Sequence, residues 1–171
     1  METIIDEITG TLDAGFSYCA ISMALSLPDI CAHLQLPEGA NTRNRVKSRY
    51  QQWFTKYLAA KYTFLTPEDV YSLRNGVVHQ GSFGHDNSQF ERVVFTVHDK
   101  TRGMHNNFID FGGRKFLQLH ARVFCEDVIE AVRKWQAEMA DNKDVERNLA
   151  RVVQAHPEGY MPVISGSPAV A

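Results

Sequence analysis

The stretch Thr66-Pro-Glu-Asp-Val-Tyr-Ser-Leu-Arg-Asn-Gly-Val-Val-His-Gln-Gly81 carries the signals for a short helix with two defined ends. Thr66 is a favourable N-cap residue, and Pro67 suits the first helical position. Asp69 completes a capping-box pattern with Thr66 and places a negative charge at the positive end of the helix dipole. Gly81 readily adopts the left-handed conformation that ends many helices. We therefore expect a helix that begins at Pro67 and stops just before Gly81.

The apolar residues of this helix fall on one face. Val70, Leu73 and Val77 recur at the i, i+3, i+7 spacing of a buried stripe. At about 100° per residue, Asn75 and His79 lie on the opposite face, one turn apart. The pattern predicts that both polar side chains point away from the core of their own domain.

Arg74 lies at the flank of the stripe, where its long side chain can follow apolar surface and present the guanidinium at the edge. On an ideal helix, Arg74 and His79 are separated by about 140°. The two side chains therefore meet only through the reach of the arginine or through a distortion near Gly76 and Gly81. Gly76 destabilises a helix interior by roughly 1 kcal/mol relative to alanine, which indicates a close approach or a bend at this position.

The length and composition are those of one globular domain. The chain has 171 residues, 44% hydrophobic residues and a formal net charge of −2, which are ordinary values for a soluble domain with a buried core. The start of the chain does not resemble a secretion signal, and no apolar run approaches the length of about 18 residues that a membrane-spanning helix needs. Cys19, Cys31 and Cys125 form an odd set without metal-type spacing, so we expect reduced thiols, a cytoplasmic location and no membrane contact.

Hydrophobic periodicity predicts a mainly α fold, a helical bundle of about five helices with an inserted β-hairpin. The predicted helical segments, the first of them with a new start at Pro28, are 2–36, 42–61, 66–81, 115–140 and 144–154. Glu91 to His98 alternates as a strand does, and Asn106 to Phe111 is a weaker second strand, so the hairpin is expected near 91–111, after a loop at 82–89. Residues 1–155 are expected to form a single domain, and residues 156–171 a loosely ordered tail.

Basic residues are concentrated within the second predicted helical segment. Residues 41–65 contain no acidic residue although the chain as a whole is slightly negative. Two interpretations stay open: a surface that faces the phosphates of RNA, or an ordinary solvated helix face. The candidate RNA-binding residues are Arg43, Arg45, Lys47, Arg49 and Lys56.

Other kinds of chemical site find little support in the sequence. No glycine-rich phosphate loop follows a strand, and no serine lies in a nucleophile-elbow context. No pair of histidines has the i, i+4 spacing and supporting carboxylate of a zinc site, which leaves His85-Asp86 and His98-Asp99 as the only alternatives for a metal. We therefore expect neither a metal nor a cofactor.

The spacing between an arginine and a following histidine is not informative by itself. Four pairs in the sequence have a spacing of five or six residues: Arg74/His79, Arg92/His98, Arg114/His120 and Arg151/His156. Only Arg74 is followed directly by an asparagine, belongs to a capped helix and precedes a histidine on the outward face. This combination is what sets the first pair apart from the other three.

At Leu73-Arg74-Asn75-Gly-Val-Val-His79-Gln-Gly81 the chain resembles the HEPN superfamily, whose motif is an arginine, a polar residue, three to five further residues and a histidine. The order of two long helical segments, the motif helix and a long closing helix is also similar, and the resemblance covers residues 10–140. A tyrosine that one toxin subgroup carries two residues after the histidine is replaced here by Gly81.

This resemblance implies a metal-independent endoribonuclease of toxin–antitoxin, antiviral or abortive-infection type. In such families two motif helices pack in a symmetric homodimer and line one cleft, and an antitoxin or other protein can neutralise the enzyme. Arg74 and His79 would be catalytic and Asn75 supporting, and the products would carry a 2′,3′-cyclic phosphate. The alternative is a non-catalytic HEPN-like module that binds RNA, a nucleotide or another protein.

The chemistry of the pair agrees with this expectation. An RNA 2′-hydroxyl can attack the adjacent phosphate without a metal if an imidazole moves the protons. A guanidinium supplies paired donors to the phosphoryl oxygens as their charge increases. The position of His79 at a helix C-terminus favours its protonated form, so it suits an acid role as well as a base role.

Overall fold

A computed structural model describes residues 1–84 and 88–171, and the mainly α architecture predicted from the sequence is confirmed, with 54% helix and a small three-stranded sheet. The described chain has six α-helices rather than the five segments expected, because the first predicted segment divides into two. They are α1 (Glu2–Asp13), α2 (Ser17–Leu34), α3 (Val46–Tyr57), α4 (Pro67–Asn75), α5 (Ala121–Glu138) and α6 (Lys143–Leu149). Short 3₁₀ turns lie at Ala59–Lys61 and Asp99–Met104. None of these helices combines the length and apolar character that crossing a membrane requires.

The central element is α2, which packs against each of the other five α-helices. The predicted restart at Pro28 is wrong: the break falls between α1 and α2, where Gly15 has a φ of +82°. Pro28 lies inside α2 and is buried. A proline removes one backbone donor from a helix, but the contacts of α2 with its neighbours compensate for that loss.

The second predicted helical segment is shorter than expected. It begins at Val46 rather than at residue 42, because Arg45 has a left-handed φ of 58° and the Asn41 side chain accepts a hydrogen bond from the Arg43 N–H at 3.0 Å. Such an asparagine turn competes with helix formation. The basic residues before Val46 therefore lie in a loop.

The sheet contains β1 (Arg92–Thr96), β2 (Asn107–Phe111) and β3 (Arg114–His120), in the order β1-β3-β2. The predicted hairpin near 91–111 is wrong in its pairing, because β1 pairs with β3 in parallel and the true hairpin joins β2 to β3 through Gly112 and Gly113. Both glycines have positive φ values, 63° and 82°, which two-residue hairpin turns favour.

The long helix predicted from residue 115 begins instead at Ala121, after β3. Leu117 and Leu119 are fully buried, and this alternation is that of a strand with one face on the core. The His120 side chain then caps α5 by accepting a hydrogen bond from the Val123 N–H at 3.4 Å. The last helix, α6, ends at Leu149 and not at residue 154.

The tail at 156–171 is mostly exposed. Its end returns to the domain, where β5 (Ala169–Val170) pairs antiparallel with β4 (Ala155–His156). Of the predicted loop at 82–89, residues 85–87 lie outside the described part of the chain, and the remainder has no regular structure.

Candidate active site

The motif helix α4 has the N-terminus that its sequence predicts. The Thr66 hydroxyl accepts a hydrogen bond from the Asp69 N–H, and Asp69 Oδ2 accepts one from the Thr66 N–H, both at 3.1 Å. This capping box is complete. Asp69 is only 3% exposed and also accepts hydrogen bonds from the backbone and side chain of Gln89 at 2.9 and 2.6 Å. The cap therefore also anchors the chain that follows the motif.

The C-terminal end of the motif helix is not α-helical. Gly76 to Gln80 form one turn of π-helix, and the Gly81 N–H closes this turn on the Gly76 carbonyl with a φ of 63° at Gly81. A π turn contains more residues than an α turn, so residues five apart in sequence come to the same side. This distortion brings Arg74 and His79 together, with 3.4 Å between Arg74 Nη1 and His79 Nε2.

Gly76 is required by a close approach of backbone. A Cβ at this position would lie 2.8 Å from the Ser82 carbonyl oxygen and 2.9 Å from that of Gly84. The Gly76 carbonyl in turn accepts the Ser82 N–H at 3.0 Å. The close approach, one of the two alternatives that Gly76 indicated in the sequence, is therefore present beside the π turn. The segment that packs over Gly76 is itself attached to the sheet, since the Val93 N–H of β1 donates to the Phe83 carbonyl at 2.8 Å.

The Arg74 guanidinium is held by three side chains. Arg74 Nη1 donates to Asn75 Oδ1 at 3.0 Å and faces His79, while Arg74 Nη2 lies 2.8 Å from Asp29 Oδ2. The side chains of the ion pair are largely buried, 20% exposed for Arg74 and 18% for Asp29. Arg74, Asn75 and His79 thus form one cluster, with the imidazole exposed to solvent.

Asp29 belongs to this cluster and was missed in the sequence. A signal was present, because Asp29 is the only acidic residue between Asp13 and Glu38. Burial raises the pKa of Asp29, and the charge of Arg74, with a smaller contribution from Arg49, acts in the opposite direction. The carboxylate therefore depends on these arginines for its charge.

The surface around the motif is partly apolar. Val78 is 45% exposed and Tyr18 is 46% exposed. The Tyr18 hydroxyl donates to the Val77 carbonyl at 3.0 Å, which places the start of α2 beside the π turn. Phe16, directly before α2, is also exposed. Apolar side chains of this size on a surface are typical of an interface when they lie together.

The predicted RNA-binding residues do not form one continuous row. Lys47 is paired with Glu68 at 2.6 Å, and Lys56 with Glu138 at 2.6 Å. Acidic residues from other segments thus balance part of the basic stretch. These two lysines are exposed, and their pairs contribute little stability.

Of the three arginines of this stretch, only Arg49 shares a cleft with Arg74. Arg43 and Arg45 are exposed in the loop before α3. Arg49 donates to the carbonyl oxygens of Asn44 and of Thr42, the latter at 2.7 Å, and lines the same cleft as Arg74. The structure therefore places Arg49 and Arg74 in the same cleft.

The cleft has a volume of about 400 Å³ and lies between α2, the N-terminal part of α3, Arg74 and the end of α6. Its basic side chains are His33, Arg49, Arg74 and Arg151, and Asp29 is the only acidic lining residue in the described chain. Arg151 and His33 could not be assigned to a site from the sequence, because α6 and α2 meet only in the folded domain.

His98, His105 and His120 have structural contacts. His98 Nδ1 accepts the Lys100 N–H, and His105 Nδ1 accepts the His120 N–H, both at 3.1 Å. Burial lowers the pKa of His105, although Asp127 opposes this effect. Within 1–84 and 88–171, no group of three or more His, Cys, Asp or Glu residues is arranged to hold a metal. His85-Asp86 lies outside the described residues.

Comparison with known proteins does not assign the chain to a family. No protein-family model matches it, and no curated protein or solved structure matches it significantly. The case for a function therefore depends on the chemistry of the Arg74 cluster and the neighbouring cleft.

Proposed function

We propose that the protein is a metal-independent endoribonuclease that acts as a homodimer, with Arg74 and His79 as catalytic residues and Asn75 in support. The observation that carries this proposal is the 3.4 Å contact between the Arg74 guanidinium and the exposed His79 imidazole. A π turn is an uncommon way to end a helix and is frequent at functional sites.

The reaction uses two kinds of group that the cluster supplies. His79 takes the proton of the 2′-hydroxyl as that oxygen attacks the adjacent phosphorus, and a protonated His79 of the second subunit donates a proton to the departing 5′-oxygen. Arg74 donates hydrogen bonds to the non-bridging oxygens as their negative charge increases. The bond to the 5′-oxygen breaks, and the products carry a 2′,3′-cyclic phosphate and a 5′-hydroxyl.

The dimer in this proposal is formed around the motif. Asp29 and Asn75 orient the Arg74 guanidinium from within the subunit. The exposed side chains of Tyr18 and Val78 provide apolar surface beside it for a second copy. Arg43, Arg45 and Arg49 would attract the RNA strand. As a biological role we propose a cytoplasmic toxin or antiviral effector, with a neutralising partner protein where it acts as a toxin.

The test is cleavage of RNA in the presence of a chelator. We expect the wild-type protein to cleave and both His79→Ala and Arg74→Ala to lose about 10²- to 10⁴-fold in rate, because each removes a group that acts in the transition state. His98→Ala is the matched control for a histidine, and Arg133→Ala is the control for an exposed arginine. Product ends are identified by mass spectrometry.

Cleavage that survives both catalytic substitutions would overturn the assignment of the site. Failure of the wild-type protein to cleave several structured and single-stranded RNAs would favour the second candidate, a non-catalytic binding module. One observation favours that candidate: Arg74 is already paired with Asp29 and hydrogen-bonded to Asn75, contacts that also suit a purely structural arginine.

A further inference from the structure

The cleft beside the motif combines apolar walls with positive charge. Three arginines line it, Arg49, Arg74 and Arg151, against the single carboxylate of Asp29 among the described residues. The cleft therefore carries an excess of positive charge even when His33 is neutral. Its volume of about 400 Å³ lies in the range of sites that enclose a small organic ligand.

The arginines of the cleft differ in how freely they can bind a ligand. Arg74 is paired with Asp29 at 2.8 Å, and Arg49 is oriented by a hydrogen bond to the Thr42 carbonyl at 2.7 Å. Arg151 is exposed at the rim, just after α6. A guanidinium that is held in place and a second one at the rim are suited to grip the oxygens of a phosphate group.

The apolar part of the cleft indicates more than a phosphate. Ile30, Val46 and Val152 lie along its wall. An inorganic anion gains nothing from such a surface, whereas a planar base gains free energy when it leaves water and packs against it. The ligand that matches both parts is a base and a phosphate joined by a sugar.

We propose that the cleft binds one nucleoside monophosphate unit of RNA, with its phosphate on Arg49 and Arg151 and its base against the apolar wall. Arg74 belongs both to the cleft and to the contact with His79, so the bound unit would be the neighbour of the phosphate that is cleaved. The identification of this unit as part of RNA rests on the proposed ribonuclease function. The cleft lies within one subunit, so it is distinct from the proposed cleft between the two motif helices of a dimer.

The test is direct binding by calorimetry, with the four nucleoside 5′-monophosphates, their nucleosides and inorganic phosphate as probes. We expect at least one monophosphate to bind roughly tenfold or more tightly than its nucleoside and than inorganic phosphate, since each of those lacks one half of the contacts. Arg151→Ala should weaken that binding about tenfold by removal of one charge-assisted contact. Val46→Trp should also weaken it, because the larger side chain fills the apolar wall.

Arg133→Ala is the control, because Arg133 is exposed on α5 and does not line the cleft. Circular dichroism checks that each variant is folded. The proposal is overturned if none of the four monophosphates binds, or if Arg151→Ala binds the monophosphate as tightly as Arg133→Ala does.

A second measurement separates a nucleotide of RNA from a free nucleotide. A tetranucleotide with 2′-O-methyl groups cannot undergo attack by a 2′-hydroxyl, so it reports binding alone. We expect it to compete with the monophosphate in wild-type protein and in His79→Ala. A monophosphate that binds without competition would overturn the RNA assignment. Nucleotide binding with competition but without RNA cleavage would refute the ribonuclease function and support the nucleotide site in the cleft. RNA cleavage without nucleotide binding would support the ribonuclease function and refute the nucleotide site.

Discussion

Asp29 and Arg74 are 45 residues apart in the chain and meet at the edge of the cleft, 2.8 Å from each other. Burial raises the pKa of the Asp29 carboxyl more than the two nearby arginines lower it. The charged carboxylate therefore occupies a place that disfavours charge, and its main effect is to orient the guanidinium. A pair of this kind contributes little net stability while both partners are present, but removal of one partner exposes the cost of burying the other.

Replacement of Arg74 by methionine is expected to raise the pKa of Asp29 further, since the opposing charge and hydrogen bond are both lost while burial remains. A folded-state pKa above the ordinary value of 3.8 means that the native protein holds this proton more tightly than the unfolded chain. The variant should therefore lose stability relative to wild type as the pH rises through the folded-state pKa. Carbon-13 carboxyl NMR titration and urea unfolding at several pH values measure both effects. An Asp29 pKa that stays the same or falls would contradict this, with Arg133→Met as the control.

Single residues could be predicted from sequence where their reasons are local. Thr66 and Asp69 form the expected cap, and the stripe of Val70, Leu73 and Val77 is buried. Asp29 could not be assigned to Arg74, because only the packing of α2 on α4 brings the two together.

At the scale of elements, the end of the motif helix matters most. The α-helical segment ends at Asn75, and the π turn at Gly76–Gln80 carries His79 to the side of Arg74. The sequence left open whether the reach of the arginine or a distortion near Gly76 and Gly81 would bring the pair together, because a π turn depends on the chain that closes over it. The carbonyl groups of Ser82 and Gly84 provide that closure.

Gly76→Ala tests this element. The new methyl group would meet two backbone oxygens at less than 3 Å, so we expect the free energy of unfolding to fall by about 2–4 kcal/mol. RNA cleavage should fall as well, because relief of the clash moves the π turn and separates His79 from Arg74. Urea unfolding and the cleavage assay are the measurements.

Gly10→Ala is the matched control, since Gly10 lies inside α1 with open space around its Cβ position. That substitution should leave the protein unchanged or stabilise it by up to about 1 kcal/mol. If Gly76→Ala behaved like Gly10→Ala, the close approach would have no energetic importance.

The strand that precedes α5 shows why sequence periodicity failed at another element. Leu117, Ala121 and Phe124 fit the spacing of a helix face, and the prediction extended the helix back to residue 115. Leu117 and Leu119 also fit the alternation of a strand that ends at His120, and the pairing of β3 with both neighbouring strands decides in favour of the strand. Strand pairing of this kind is not visible in a local window of sequence.

At the scale of the whole molecule, the mainly α class followed from composition and periodicity, whereas the order β1-β3-β2 did not. The parallel pair joins residues 92–96 to residues 116–120 and depends on everything folded between them. The cleft could not be predicted from the sequence either, because its lining residues come from four separate segments of the chain. The charge of the basic stretch also depends on the fold, because Glu68 and Glu138 from other segments pair with two of its lysines.

The proposed dimer involves the surface of the whole molecule. Val78 is 45% exposed beside the site, so a charge placed there by Val78→Asp should weaken self-association by tenfold or more, about 1.4 kcal/mol. Val97→Asp is the control, because Val97 is 64% exposed and lies after β1. Analytical ultracentrifugation over a range of concentrations measures both variants. A wild-type protein that stays monomeric at all concentrations, or equal association of the two variants, would contradict the composite site.

The hydrogen bond from the Val93 N–H to the Phe83 carbonyl connects the sheet to the segment that covers the motif helix at Gly76. β1 is an edge strand that pairs with another strand on one side only, and edge strands are among the first parts of a fold to open locally. Each opening of β1 would release the segment that covers Gly76 and so allow the π turn to relax. Heat or mild denaturant should therefore break the contact between Arg74 and His79 well before the helices around α2 unfold.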